Sequence, residues 1–212
     1  MEPERAMNTS ERFAAAIGRF DAANAEDPNH EVDGGHERPK ALIYAERLTA
    51  MLARFAPDAS EALRLAARCQ HLQRWKIPRG EYPMTRAGYH QWRNRLRDFH
   101  AELAARILAE TGYDAATIAR VASLIRKEAL KTDSEAQALE DVVALVFLES
   151  YLAEFVVEHD GYDESKLIDI LTKTARKMSP RGREVALARI HLPGEFVNVV
   201  RKAIAGVPPG AR

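Results

Sequence analysis

Three places along the 212-residue chain set polar side chains into apolar helical patterns. Gln70 and His71 close the run Leu63 to Cys69, and Gln70 shares a helical face with Leu63, Ala66 and Ala67. His100 follows Leu96 by four residues and precedes Leu103 by three, at the edge of another apolar stripe. Asp133, Gln137 and Asp141 stand at i, i+4 and i+8, one line of a helix, and lead with Glu140 into the apolar run Val142 to Leu148. A polar group pressed towards a core is costly unless it is paired. Each of these residues therefore has to meet another polar group, a charge or a metal. Imidazole and carboxylate are the side chains that hold divalent ions such as Zn, Mn or Fe. His71, His100 and Asp141 are accordingly expected to gather at one interior point. Taken singly, each is also the kind of residue that a core satisfies with a structural hydrogen bond.

Charge is segregated although the total is zero, 31 basic against 31 acidic residues. The stretch Arg68 to Arg97 carries eight basic residues and only Glu81. Asp133 to Glu164 holds ten acidic residues with no Lys or Arg, and Lys173 to Arg189 holds six basic residues and Glu184. Two basic segments flanking an acidic one read either as surfaces that neutralise one another or as an acidic metal centre rimmed by phosphate-binding cations. Zero net charge argues against a dedicated nucleic-acid binder. The chain has no P-loop, no dinucleotide glycine fingerprint, no zinc-type cysteine pairing and no nucleophile elbow.

The elements that must position these groups are helical. Ala, Leu, Arg and Glu are plentiful and aromatic residues make up 7%, which favours helix over strand. The pattern predicts an all-α fold, a single globular domain of about eight helices packed around the 133–159 segment. Ser10 is expected to cap the first helix, followed by a surface connection over Asp27 to Lys40 and a helix over 41–55. Asp58 with Glu61 forms a capping-box pattern opening a helix to about Trp75. An irregular loop follows over 77–84. Thr85 caps a helix to about Thr111 with the stripe Tyr89, Trp92, Leu96, Phe99, Leu103 and Ile107. Asp114 caps one to about Leu130, Asp133 or Ser134 one to about His159, and two more cover 164–178 and the segment after Ser179. Residues 1–9 are expected to be disordered, 10–205 to form the domain and 206–212 to fray. With one cysteine, Cys69, in an apolar run, and no signal-peptide or membrane-spanning stretch, a soluble cytoplasmic protein is expected.

The runs Gln70-His71-Leu72-Gln73-Arg74-Trp75-Lys76-Ile77-Pro78-Arg79, Tyr82-Pro83-Met84, Gly88-Tyr89 and Trp92-Arg93 resemble domain-of-unknown-function family 4202. So do Phe99-His100-Ala101, Gln137 to Val142, Lys173 to Ser179 and Asp21 to Pro28, over about residues 12–205; Ala175 stands where that family is expected to have tryptophan. A more distant resemblance is to the histidine-aspartate metal phosphohydrolases, which are also all-α, so an HD-domain-like fold is implied. His71 resembles their dyad histidine, Asp141 their distal aspartate and His100 an additional helix-borne histidine. Leu72 stands in place of the dyad aspartate, Glu46 roughly in place of the first histidine, and Glu128 near a position often histidine.

The expected function is therefore a divergent metal-dependent phosphohydrolase acting on a nucleotide or another phosphorylated small molecule. His71, His100 and Asp141, with Glu46 or Glu128, would hold a divalent metal. Arg74, Arg79, Arg86 and Lys127, beside Gln70, would bind phosphate and offset the charge on its oxygens. The alternative is a non-enzymatic helical module that binds RNA or an acidic partner through basic segments 68–97 and 173–189.

Overall fold

The computed structural model describes residues 8–208, and it is mainly helical, with ten α-helices and one short hairpin. Ten replace the expected eight because two segments divide. The 133–159 segment is interrupted by five π-helical residues, Phe147–Tyr151, and the one after Ser179 breaks between Ala188 and Gly194. Contacts gather the described residues into two compact units, 8–49 with 59–128 and 50–58 with 129–208. The expected disordered start and frayed end lie largely outside the described residues. Among the described residues no helix is long and apolar enough to cross a membrane.

The first unit opens with α1 (Thr9–Ala25). Its cap is Asn8, not Ser10. The Asn8 side chain accepts the Glu11 N–H at 3.0 Å and the Glu11 carboxylate accepts the Asn8 N–H at 2.9 Å, a reciprocal capping box. The expected surface connection contains a hairpin, β1 (His30–Asp33) and β2 (His36–Pro39), paired antiparallel from His30 with Pro39 to Asp33 with His36. Gly34 and Gly35 turn it with φ of 57° and 85°, the positive angles that a two-residue hairpin turn requires. Helix α2 (Lys40–Phe55) begins in this unit and ends in the second. Ser60, not Asp58, caps α3 (Glu61–Cys69) by accepting the Leu63 N–H at 3.1 Å. Helix α4 (Arg86–Glu110) is capped by Thr85 as expected, and α5 (Ala115–Arg126) by Asp114. Of the expected stripe Leu96 and Ile107 are buried, joined by His100, Ala101, Ala104 and Leu108, whereas Tyr89 is exposed and Trp92, Phe99 and Leu103 are half-buried. Helix α4 packs along α5.

In the second unit Asp133 caps α6 (Ser134–Val146), accepting from the Glu135 and Ala136 N–H groups. After the π segment come α7 (Leu152–Glu158), α8 (Glu164–Ala175), α9 (Pro180–Ala188) and α10 (Gly194–Ala205). Its core is built from Leu139, Val142, Leu145, Leu148, Leu152, Leu171 and Val200 among others.

Candidate functional site

The site grows from the point where α3 ends. The helix stops at Cys69 rather than near Trp75, and Gln70 to Gln73 turn the chain. Gln73 takes φ 49°, a left-handed conformation unfavourable for a side-chain-bearing residue. It is held there from α1: its N–H donates to Asn24 Oδ1 at 3.1 Å and its side-chain amide to the Glu26 carboxylate at 3.1 Å. Asn24 is itself buried. This turn directs the Leu72 carbonyl at His100, whose Nδ1 lies 2.8 Å away. A carbonyl only accepts, so Nδ1 carries the proton and Nε2 is left as a bare lone pair. His100 is 2% exposed, and its Nε2 meets no hydrogen-bond partner; nor does Oε1 of Gln70, which is 4% exposed. The His71 ring stacks on Tyr44 at 4.7 Å and 13°, and its centroid lies 5.6 Å from that of His100.

Cations surround this pair. The Arg74 guanidinium lies 4.8 Å over the Trp92 ring, and the Trp92 N–H donates to the Ile77 carbonyl at 2.9 Å. Burial, then Arg93, draws the Arg74 pKa down to about 10. No carboxylate among the described residues pairs with Arg74 or Arg93. Burial also carries the pKa of His71 well below its ordinary value, with Arg74, His100, Arg93 and Lys127 adding to the effect. His100 falls to about 3, chiefly by burial, with Arg74 and Arg93 lowering it further against the Leu72 carbonyl. Both imidazoles are therefore neutral at physiological pH, inside a positive field.

Of the residues expected to act together, His71, His100, Gln70 and Arg74 are brought into one neighbourhood, and Lys127 contributes charge at His71 from the left-handed residue that closes α5. Arg79 borders this neighbourhood, 5.9 Å over the same Trp92 ring as Arg74, and donates to the Tyr82 and Pro83 carbonyls at 2.9 Å each, clamping the loop before α4. The others are engaged elsewhere. Arg86 is exposed in the first turn of α4. Glu46 receives Arg38 through both oxygens at 2.8 and 2.9 Å. Glu128 is exposed, with Arg126 at 3.8 Å. Asp141 belongs to the second unit and clamps the start of α9: the Ser179 N–H and hydroxyl donate to it at 2.7 and 2.6 Å, and Gln137 at 3.2 Å. Burial still raises its pKa. Among the described residues no group of three His, Cys, Asp or Glu side chains is placed to hold a metal ion. The pair of imidazoles is a partial donor set, without a carboxylate.

Arg93 and Asn24 lie within runs that resemble the family yet are not among the expected site residues, and Tyr44 lies outside those runs. Arg93 precedes His100 by seven residues and Leu96 by three, spacings that place all three on one face of a helix. Tyr44 and Asn24 reach the site from other elements and leave no local signal.

Helical architecture and a cationic cluster around two neutral histidines define the protein at the level of class. The family model described as Domain of unknown function (DUF4202) matches residues 14–200, and the chain belongs to that family. No curated protein and no solved structure matches it.

Proposed function

We propose that the first unit binds a phosphorylated small molecule at Arg74 and Arg93, beside His71 and His100. The observation that carries this reading is Arg74: a guanidinium largely enclosed by protein, with no carboxylate partner and another arginine as its strongest charged neighbour. A charge in that position is uncompensated, and an oxyanion would compensate it, with planar forks suited to phosphate oxygens. Phosphoester hydrolysis is the activity suggested by the distant likeness to the HD phosphohydrolases, and an HD-like helical arrangement belongs to the same proposal. The expected divalent metal enters it only through His71 and His100. Elemental analysis tests that part: a stoichiometric transition metal, lost in His71→Ala, supports it.

Titration of the protein with a nucleoside monophosphate tests the binding. Saturable affinity that is lost in Arg74→Leu and in Arg93→Leu is expected, and affinity untouched by both substitutions overturns the reading. The second proposal is an RNA-binding surface, supported by exposed Arg86, Tyr89 and His90 together on the first turn of α4. Its signature is affinity for single-stranded RNA that falls steeply with salt. Binding unchanged between low and high salt counts against it.

A further inference from the structure

The hydrogen bonding of His100 specifies more than a positive site. Its Nδ1–H is committed to the Leu72 carbonyl at 2.8 Å, so the ring offers the site a single function, an accepting lone pair on Nε2. That atom is buried without a partner in a side chain only 2% exposed. Arg74, Arg93 and the His71 ring are the charged or titratable groups around it, with Phe99 edge-on at 5.8 Å and Lys127 acting on His71. Two of these groups donate to anions, whereas Nε2 can only receive.

We propose that His100 selects phosphate over fully ionised tetrahedral oxyanions such as sulfate, its Nε2 accepting a hydrogen bond from a P–OH group of the bound phosphate. This rests on the reading that Arg74 and Arg93 hold an oxyanion. Inorganic phosphate keeps at least one P–OH at neutral pH and sulfate has none. Sulfate would set an oxygen lone pair against that of Nε2 and leave a buried acceptor unsatisfied, which is worth about tenfold to a hundredfold in affinity. Burial and the two arginines keep the imidazole neutral, so it remains an acceptor at physiological pH. For a phosphate monoester, whose second ionisation lies near about pH 6, the same contact favours the monoanion.

The test is calorimetric titration of the full chain with sodium phosphate and with sodium sulfate at pH 7 and matched ionic strength. Phosphate is expected to bind about tenfold to a hundredfold more tightly than sulfate. His100→Leu should lower phosphate affinity to the sulfate level without weakening sulfate. Should that variant fail to fold, nitrogen NMR of the unaltered protein gives the same answer: the His100 Nε2 resonance shifts with phosphate and not with sulfate. Equal affinity of the unaltered protein for both anions, a preference that survives His100→Leu, or a resonance unmoved by phosphate overturns the role of His100 alone. Failure of both anions to bind overturns the Arg74 and Arg93 reading beneath it.

Discussion

With Arg93 as its main charged neighbour and no carboxylate beside it, Arg74 is less comfortable charged in the folded protein than in water, as its pKa of about 10 records. Arg74→Met keeps the stem against Trp92 and removes the charge. It should stabilise the unliganded first unit by on the order of 1 kcal/mol while abolishing phosphate affinity, the trade expected of a functional group. Urea titration followed by tryptophan emission measures the first half, and a loss of stability would mark Arg74 as a structural residue. The two histidines make a pH prediction. Their folded-state pKa values are depressed, to about 3 for His100, while the unfolded value is near about 6.5. The unfolded chain therefore takes up protons first as pH falls below that value. Stability should drop by up to about 1.4 kcal/mol per pH unit for each histidine, and His100→Leu should flatten the dependence. Denaturation midpoints identical at pH 7.5 and 5.5 would contradict neutral burial. These residues were legible in sequence because each interrupts an apolar stripe. At Asp141 the same signal has a narrower content: a carboxylate on a buried face announces that it has a partner but not which one. Its partner, Ser179, lies 38 residues away and supplies both an N–H and a hydroxyl.

Where elements meet, two glycines leave no room for a side chain. A Cβ on Gly88 would lie 2.1 Å from the Pro83 carbonyl oxygen, and one on Gly182 would lie 2.5 Å from Asp141 Oδ1. Gly88→Ala and Gly182→Ala should each cost about 1–3 kcal/mol through overpacking. Asp141→Ala should destabilise the second unit by releasing the start of α9, yet leave phosphate affinity unchanged. A large loss of affinity in a folded Asp141→Ala protein would instead support the metal set expected from sequence. Helix starts were readable wherever the capping side chain was the sole candidate, as at Thr85, Asp114 and Ser179. At α1 and α3 several capping residues lie within three positions, and only backbone geometry chose Asn8 over Ser10 and Ser60 over Asp58. The hairpin escaped because four-residue strands rich in charge have no apolar alternation. Ion pairs of Arg38 with Asp33 at 3.0 Å and of Arg47 with Glu31 at 2.6 Å accompany it instead, leaving Gly34-Gly35 as its one sequence mark.

Both tryptophans, Trp75 and Trp92, lie in the first unit, so their emission reports that unit alone, whereas far-ultraviolet dichroism reports helices of both. A ligand of the first unit should raise the tryptophan-detected unfolding free energy by about 2.7 kcal/mol at a hundredfold excess over Kd. The dichroism should retain a component that does not move; a single transition shifting equally by both probes would show that the units unfold together. Cys69 sharpens the distinction. It is the only cysteine of the chain, fully buried at the end of α3, with its thiol pKa pushed up by burial. A thiolate is the reactive form, so alkylation has to await opening of the first unit. The labelling rate of this one sulfur thus clocks how often that unit comes apart under native conditions, and an anion that closes around Arg74 should slow the clock.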